Sequence, residues 1–298
     1  MILITGITGK SGSWFLKELI QKQNEFKDKK FRVVLRKSSD HSLINDNELN
    51  IEKVYGDLEN DQFASKVTDN IDTILHIAGI GKSLNLVKAA IKNNVNRLIL
   101  VHTTGIYSKF KIASHEYLEI EKKIDKLLEN TNIDLSILRP TMIYGRKTDR
   151  NVIIFIKLVD KLRIFPVINK AQYLLQPVHE SDLGKAYFQV LVNPEKTKNK
   201  NYNLSGKKPI LLIDMLKIIG KYLGKKNYFI SVPFWLAYYG SIFCYYISFK
   251  RFNYVEKVQR LVESRAFSHE EASQDFGYSP IGFEEGVKSE VQEYLNSK

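Results

Sequence analysis

The sequence predicts an α/β fold, a doubly wound parallel sheet with a smaller C-terminal lobe, from three observations. Short apolar runs alternate with longer amphipathic stretches over residues 1–140, which is typical of strands connected by crossover helices. The apolar runs lack polar–apolar alternation, as expected for strands covered on both faces. A glycine-rich turn directly follows the first run. Together these features predict a Rossmann-type sheet.

Six strands are expected in this region, each a short run of apolar residues. They are Met1–Thr5, Phe31–Arg36, Ile51–Tyr55, Thr73–Ile77, Arg97–His102 and Leu135–Leu138. Helical periodicity predicts helices near residues 10–24, 60–67, 81–94 and 113–130, and after residue 140 near 151–162, 181–192 and 210–223. The pattern loosens after residue 140, so the second half is expected to form a smaller lobe.

The glycine-rich turn fits the pattern G-x-x-G-x-x-G between a strand and an amphipathic helix. Such glycines permit a tight turn and let backbone N–H groups approach a diphosphate at the helix N-terminus. The residues expected to bind a nicotinamide dinucleotide there are Gly6, Thr8, Gly9, Lys10, Ser11 and Gly12. A P-loop is excluded because its first glycine would have to stand at Ile4.

The end of the second strand predicts the cofactor. NAD-selective sites place an acidic residue there for the ribose 2′-hydroxyl, whereas this chain has Arg36, Lys37 and Ser38. Cations and hydroxyls suit a 2′-phosphate, so NADP(H) is expected rather than NAD(H); a solvated basic turn is the alternative. Asp57 and Leu58 follow the third strand as adenine-side candidates, and Asp57 equally suits a helix cap.

Composition limits the function classes. The 298 residues carry a net charge of +12, which suits phosphorylated small molecules, anionic lipid or nucleic acid; a lysine-rich surface without a partner is the alternative. The basic residues are not clustered with aromatic ones and no nucleic-acid motif is present, so nucleic acid is not expected. The single cysteine, Cys244, excludes a disulfide framework and a cysteine-based zinc site. We expect a cytoplasmic protein without a metal, and no signal peptide, because the chain begins in a predicted strand.

One uncharged segment, residues 230–249, has basic residues on both sides. Its length reaches the ~20 residues that span a bilayer, but Pro233, Gly240 and four tyrosines make it weakly hydrophobic. A buried or substrate-covering helix is favoured, a helix in the membrane interface is next, and a true span is last.

Six motifs in order resemble those of the extended or atypical short-chain dehydrogenase/reductases, the NAD-dependent epimerase/dehydratase family, over nearly the whole chain. The resemblance is strongest to bacterial nucleotide-sugar reductases and epimerases. The motifs are the glycine turn, Leu75-His76-Ile77-Ala78-Gly79, Val101-His102-Thr103-Thr104-Gly105-Ile106-Tyr107, Leu138-Arg139-Pro140-Thr141-Met142-Ile143-Tyr144-Gly145, Gln176-Pro177-Val178-His179-Glu180-Ser181-Asp182-Leu183 and Phe276-Gly277-Tyr278-Ser279-Pro280.

The resemblance implies a dinucleotide-binding Rossmann domain over residues 1–145 and a substrate lobe over 146–298, partly interleaved. It implies that Ala78, Gly79 and Pro140 contact the cofactor. Thr103 takes the place of the catalytic Ser/Thr, with a strand-end cap as the alternative. Tyr117 takes the place of the catalytic tyrosine, with a helix-surface tyrosine as the alternative.

The chain departs from the family at one catalytic position. The family pattern is Tyr-x-x-x-Lys, but Glu121 stands four residues after Tyr117, one helical turn away. A carboxylate there would raise the tyrosine pKa, which handicaps a base but not an acid that protonates a carbonyl oxygen. Glu121 is therefore a third catalytic candidate, able to accept from the cofactor's ribose hydroxyls.

These features predict an NADP(H)-dependent oxidoreductase that reduces a keto group of a nucleotide-linked sugar. Arg260 and Arg265 are candidate phosphate partners, with surface or salt-bridged arginines as the alternative. One rival is a catalytically reduced NAD(P)-binding sensor or assembly protein, favoured by the missing lysine. The other is a reductase of a membrane-associated lipid ketone, motivated by residues 230–249. The helix bearing Tyr117 is a common dimer surface in this family, so a homodimer is one expectation.

Overall fold

A seven-stranded parallel sheet forms the centre of the computed structural model, which describes residues 1–45, 47–110, 112–251 and 253–298. Its strands lie in the order β3-β2-β1-β4-β5-β6-β11, and every neighbouring pair is parallel. They are β1 (Ile2–Thr5), β2 (Lys30–Leu35), β3 (Asn50–Tyr55), β4 (Thr73–His76), β5 (Arg97–Val101), β6 (Asp134–Pro140) and β11 (Lys200–Leu204). The predicted fold class and all six predicted strands are confirmed.

The seventh strand, β11, is not predicted by the sequence pattern. Only Tyr202 and Leu204 of its five residues are buried, because it lies at the edge of the sheet beside β6. The apolar content that marks an inner strand of a parallel sheet is therefore missing.

Helices cover both faces of the sheet. They are α1 (Lys10–Gln21), α2 (Ser42–Asn45), α3 (Asp61–Val67), α4 (Ser83–Lys92), α5 (Ser114–Leu128), α7 (Glu180–Val192) and α8 (Pro194–Thr197). On one face α1 packs on α7, around Phe15, Leu16 and Phe188. The two helices approach so closely that a Cβ on Gly184 would lie 2.5 Å from the Cβ of Trp14. On the other face α3, α4 and α5 cover Leu3, Ile74 and Leu98.

The remaining elements form the lobe. They are α6 (Val152–Lys161), α9 (Leu212–Tyr222), α10 (Phe234–Ile247), α11 (Val255–Leu261), α12 (Glu270–Phe276), α13 (Phe283–Leu295), and three two-stranded pairs: β7 (Ile143–Tyr144) with β10 (Val178–His179), β8 (Ile164–Ile168) with β13 (Tyr228–Val232), and β9 (Leu174–Leu175) with β12 (Ile210–Leu211). A separate core joins α6, α9 and α13.

The chain passes between the two parts more than once. After the first lobe elements it returns to the sheet with α7 and β11, then builds the rest of the lobe. The buried Arg97 guanidinium of β5 joins the return segment, since it donates to the carbonyls of Val190 and Leu191 and to the Thr197 hydroxyl. Residues 146–298 are thus not one separate unit in space.

The uncharged segment 230–249 is divided between two elements. β13 ends at Val232, Pro233 precedes α10, and α10 has 14 residues. Of these 14 residues only Ser241 is buried, so the expectation of a buried helix is wrong, and a helix that covers a substrate stays a prediction. Among the described residues no helix is long and apolar enough to cross a membrane.

Candidate active site

The glycine turn lies between the end of β1 and the start of α1, at the carboxyl edge of the sheet where strand order reverses between β1 and β4. Ligands bind at this point in open parallel sheets. Gly6 has a φ of +76°, and a Cβ on Gly12 would lie 2.1 Å from the Gly6 carbonyl oxygen, so the turn needs both glycines. Gly9 is the N-cap of α1, with no side-chain cap and no acidic residue in the first turn. The free N–H groups of that turn fit a diphosphate.

A cavity of about 320 Å³ lies in front of this turn. Of the predicted cofactor residues, it is lined by Gly6, Thr8, Gly9, Lys10, Ser11, Arg36, Asp57, Leu58 and Ala78. Gly12, Lys37, Ser38, Gly79 and Pro140 are not in its wall. Gly12 instead packs against the backbone of Gly6 and Ile7 within the turn. Ser39 lines the cavity, where Ser38 was expected.

Asp57 forms an ion pair in the wall of this cavity. Its Oδ1 accepts from Lys82 Nζ at 2.6 Å and from the Glu59 N–H at 3.1 Å, and the hydrogen bond from Lys82 lowers the pKa of Asp57. The cap of the following helix is Asn60, which accepts from the Phe63 N–H. The helix-cap alternative for Asp57 is therefore wrong.

A buried histidine ties β1 to β4 beneath the turn. His76 Nδ1 lies 2.7 Å from Thr5 Oγ1, and its Nε2 lies 3.1 Å from the Gly79 carbonyl oxygen. Burial lowers the pKa of His76 to about 4, so the ring is neutral near pH 7. Because a carbonyl only accepts, Nε2 carries the proton and Nδ1 accepts from Thr5.

A larger cavity of about 740 Å³ lies beside the first, and Lys10 lines both. Thr103 and Tyr107 form part of its wall after β5, and Arg150 and Asn151 line it from the lobe. It is large enough for a small-molecule substrate. A dinucleotide site and a second site thus meet at the glycine turn.

Thr103 is placed to donate a hydrogen bond into this cavity. Its Oγ1 accepts from the Gly105 N–H at 3.0 Å, in a short 3₁₀ turn over residues 104–107. This bond uses one lone pair of the oxygen and not the proton, so the hydroxyl can donate to an oxygen of a bound molecule. The cap and the substrate contact are compatible, because they use different sides of the same hydroxyl.

Glu121 is bonded within the protein. Its Oε1 lies 2.8 Å from His102 Nδ1 and 3.1 Å from Arg139 Nε, and its Oε2 lies 2.7 Å from Arg139 NH2. Burial acts to raise the pKa of Glu121, but the hydrogen bonds from His102 and Arg139 outweigh it and the pKa is lowered. Both oxygens have partners and the residue is only 6% exposed. This geometry does not support the expectation that Glu121 accepts from ribose hydroxyls.

Two tyrosines follow Thr103 in the sequence, and they differ in their position relative to the larger cavity. Tyr107 lines the larger cavity and its ring packs against Phe267. Tyr117 lies in the first turn of α5, is half-buried, and does not line that cavity. Spacing in the sequence carries no signal for Tyr107, because its exposure to the cavity depends on the short turn after β5.

Two arginines line the far side of the larger cavity. The Nε atoms of Arg260 and Arg265 are buried and have no hydrogen-bond partner among the described residues. Burial and the neighbouring Arg260 lower the pKa of Arg265 to about 10. Glu263 is engaged elsewhere, since it accepts from the Ser108 hydroxyl and the Lys109 N–H, each at 2.7 Å. Arg260 NH1 also lies 3.8 Å from Glu256 Oε1, so the charge of Arg260 is partly compensated. The two unpartnered Nε–H groups favour an anionic group in the cavity.

Comparison with known proteins agrees with this architecture. A family model described as NAD(P)H-binding matches residues 6–161. A UDP-glucose 4-epimerase of Vibrio cholerae is 21% identical over 333 residues, which is 99% of this chain and 96% of that protein.

Solved structures are similar over the whole chain. UDP-glucose 4-epimerase of Thermotoga maritima with UDP-glucose has a TM-score of 0.72 and 18% identity, covering 99% of both chains. UDP-glucuronic acid 4-epimerase of Bacillus cereus with UDP-glucuronic acid and NAD has a TM-score of 0.73 and 15% identity, covering 100% of this chain and 99% of that one. A double mutant of the dTDP-glucose 4,6-dehydratase DesIV of Streptomyces venezuelae has a TM-score of 0.73 and 17% identity, covering 99% and 97%.

Proposed function

The chain belongs to the NAD(P)H-binding family, within the extended short-chain dehydrogenase/reductases that include epimerases and dehydratases, and from this premise we propose that it reduces a keto group of a nucleotide-linked sugar with NADPH. The observation that carries the proposal is the pair of adjacent cavities. One contains the uncapped glycine turn and Arg36, and the other contains Thr103, Tyr107 and two arginines with unpartnered nitrogens.

The residues of the smaller cavity fit the dinucleotide. The first turn of α1 presents N–H groups to a diphosphate, and Arg36 lines the cavity at the end of β2, where a ribose 2′-substituent is recognised in this fold. A bound NADPH supplies the hydride. The chain's part is to hold the carbonyl oxygen and to deliver a proton to it.

The larger cavity supplies those polar groups. Thr103 can donate its hydroxyl proton to the carbonyl oxygen, because its bond with the Gly105 N–H uses only a lone pair of the oxygen. Tyr107 is our first candidate for the proton donor, supported by its position in the same wall as Thr103. Tyr117, the residue implied by motif position, is the second candidate. Arg260 and Arg265 are suited to the substrate's diphosphate, which would pair their free nitrogens.

The first experiment tests the cofactor by thermal shift. NADPH should raise the Tm more than NADH at equal concentration, because a ligand that binds only the folded state stabilises it by RT ln(1 + [L]/Kd). Arg36→Asp should reverse this order, and Lys27→Asp, an exposed cation elsewhere, should leave it unchanged. Equal shifts by both cofactors with the unaltered protein would contradict the NADPH preference.

The second experiment tests the chemistry with a 4-keto nucleotide sugar. NADPH oxidation is expected, and Tyr107→Phe should lower kcat by about 10²–10⁴-fold, the usual contribution of a general acid, with cofactor affinity unchanged. Tyr228→Phe, on the outer face of β13, is the control. A loss in Tyr117→Phe alone would assign the proton to Tyr117. Full activity in both variants would remove both tyrosines as donors.

Two other candidates have a specific observation behind them. The absence of lysine at position 121 favours a dinucleotide sensor or assembly protein, and tight NADPH binding without turnover on carbonyl compounds would decide for it. The exposed helix α10 favours a cytoplasmic reductase that acts on a lipid-linked ketone at a membrane. The reason is that α10 packs on α11, whose Arg260 lines the larger cavity. Faster turnover of a lipid-linked ketone than of a soluble nucleotide sugar would decide for that reading.

A further inference from the structure

Helix α10 turns an apolar, aromatic face to solvent. We name as the aromatic face the side chains of Trp235, Tyr239, Phe243, Tyr246 and Ile247, each between 62% and 66% exposed. They recur at the three- and four-residue spacing of one helical face. The opposite face, with Phe234, Tyr238, Ser241 and Tyr245, is buried or half-buried. Both faces of α10 are therefore apolar, whereas a surface helix normally has polar residues on the face that meets water.

The apolar surface continues beyond α10. In the parallel pair β8–β13, Ile164 is paired with Tyr228 and Pro166 with Ile230, and all four residues are exposed. The outer face of an exposed strand pair is normally polar. At the other end of α10, Phe249 is 95% exposed. Exposed apolar residues on consecutive elements, as here, favour an interaction site.

The chain segment that carries this surface is rich in basic residues. Between Asp214 and Glu256 the chain has no acidic residue, whereas it has six basic ones: Lys217, Lys221, Lys225, Lys226, Lys250 and Arg251. Lys217, Lys221 and Lys225 form ion pairs with Asp214, Glu284 and Asp160. The basic residues that border the aromatic face are therefore Lys226 before β13, and Lys250 and Arg251 after α10.

We propose that the aromatic face docks onto the surface of an anionic lipid bilayer. Tryptophan and tyrosine are the residues that favour the membrane–water interface, and cations beside an apolar helix face add attraction to anionic lipids. A helix of 14 residues is about 21 Å long, shorter than the ~30 Å hydrocarbon core, so α10 lies in the plane of the interface. A symmetric contact between two copies would bring these cations together, which disfavours a second copy as the occupant.

The test is flotation of the full-length protein with vesicles. Binding is expected to vesicles of equal phosphatidylcholine and phosphatidylglycerol and to fall at least about ten-fold on pure phosphatidylcholine. Trp235 fluorescence should shift to shorter wavelength with the anionic vesicles. The assay requires no turnover, so its outcome is independent of the proposed reaction.

Two variants separate the apolar and the charged contributions. Trp235→Ser/Phe243→Ser/Ile247→Ser and Lys250→Glu/Arg251→Glu should each lower the partition coefficient at least about ten-fold. The matched controls, Leu43→Ser/Ile112→Ser/Leu127→Ser and Lys207→Glu/Lys208→Glu, alter exposed residues elsewhere and should bind as the unaltered protein does. A melting temperature within a few degrees of the unaltered protein confirms that each variant is folded, and the charge pair remains informative if the serine triple variant unfolds.

Three outcomes would overturn the proposal. They are no flotation with anionic vesicles, equal loss in the control variants, and a dimer in solution that the serine triple variant converts to a monomer while vesicle binding is unchanged. The last result would assign the aromatic face to a contact between copies of the chain.

Discussion

The side chain at position 121 joins the two strand ends that carry the candidate catalytic and cofactor residues. His102 directly precedes Thr103 at the end of β5, and Arg139 directly precedes Pro140 at the end of β6. The Glu121 carboxylate bonds to both, and His102 Nε2 in turn lies 3.1 Å from the Ser83 hydroxyl on α4. Glu121 is therefore a positioning residue, which acts on the site through its neighbours.

The first prediction concerns Glu121→Gln. The variant leaves the buried Arg139 guanidinium without its counter-charge, and loss of one partner of a buried ion pair costs about 3–5 kcal/mol. We expect a lower free energy of unfolding by about 3 kcal/mol and a lower kcat. Glu119→Gln on the same helix is the control, because the Glu119–Lys122 pair is exposed and screened by solvent, so its loss should leave the free energy of unfolding nearly unchanged. Denaturant unfolding measures both.

The difference in the free energy of unfolding between the unaltered protein and Glu121→Gln should depend on pH, and the sign of this dependence follows from the pKa of Glu121. The folded-state pKa of Glu121 is lowered below its usual value, so the unfolded state binds the proton more readily. The stabilisation is present above the unfolded pKa and is lost as the pH falls through the folded pKa. The gap between the unaltered protein and Glu121→Gln should be full at pH 7 and smaller at pH 4. A gap that widens toward pH 4 would contradict this assignment.

For single residues, the sequence is a better predictor of roles that depend on the backbone than of roles that depend on contacts between side chains. The glycine turn is local, so Gly6, Gly9 and Arg36 could be placed from strand–turn–helix order. The contacts of Glu121 join three elements far apart in sequence, and no spacing rule links 102, 121 and 139. Tyr107 faces the cavity because of the short turn after β5, which the sequence does not determine locally. Arg260 and Arg265 are candidates from the sequence, but only the fold shows that α11 and the segment after it bring them to the same cavity.

Among the elements, helix α13 places a fully buried carboxyl against the loop after β7. Glu290 Oε2 accepts from the Gly145 N–H at 2.9 Å. Burial and the nearby Asp149 carboxyl raise the pKa of Glu290 to about 10, which favours its protonated form near pH 7. Arg150 and Asn151, next to Asp149, line the larger cavity, so this contact helps to hold one cavity wall.

The second prediction concerns Glu290→Gln, which resembles the protonated carboxyl in shape and hydrogen bonding. Since the folded pKa is raised, Glu290 contributes stability that is present below its unfolded pKa and lost as the pH rises, by at most about 1.4 kcal/mol per pH unit. The variant lacks this dependence of stability on pH. Its Tm should therefore equal that of the unaltered protein near pH 5 and be higher at pH 8.5. Thermal melts across this range measure the difference, with Glu285→Gln on the exposed side of α13 as the control. A variant less stable at pH 8.5 would show that Glu290 is ionised there.

Elements with strong periodicity could be predicted, and those whose pattern is set by neighbours could not. β1 to β6 are apolar because they are covered on both faces. β11 is half polar because it is an edge strand, and it is recognised only beside β6. The apolar content of 230–249 indicates a secondary-structure element there. It does not show which face of α10 is exposed, because residues on both faces are aromatic. Only the fold shows which face meets solvent.

For the whole molecule, the order in which the chain builds its two parts determines how it unfolds. The core beneath α1 is shared with α7, through Phe15, Leu16, Leu183 and Phe188, and the edge strand β11 covers β6. Both α7 and β11 come from the second half of the chain. The buried Arg97 side chain also depends on carbonyls of that half. The nucleotide-binding part is therefore complete only when residues 178–204 have returned to the sheet.

The last prediction follows from this dependence. A fragment of residues 1–145 keeps β1 to β6 but exposes the α1 face that α7 covers, leaves β6 as an open edge, and removes the partners of Arg97. Uncovering several large apolar side chains costs about 1.5–3 kcal/mol each, which exceeds what a stability of about 5–15 kcal/mol can absorb. The fragment should show no cooperative thermal transition and no NADPH-dependent shift, whereas the full chain should unfold in one transition that NADPH moves to higher temperature. Calorimetry of both measures this, and a cooperative, NADPH-binding fragment would show that the first 145 residues fold alone.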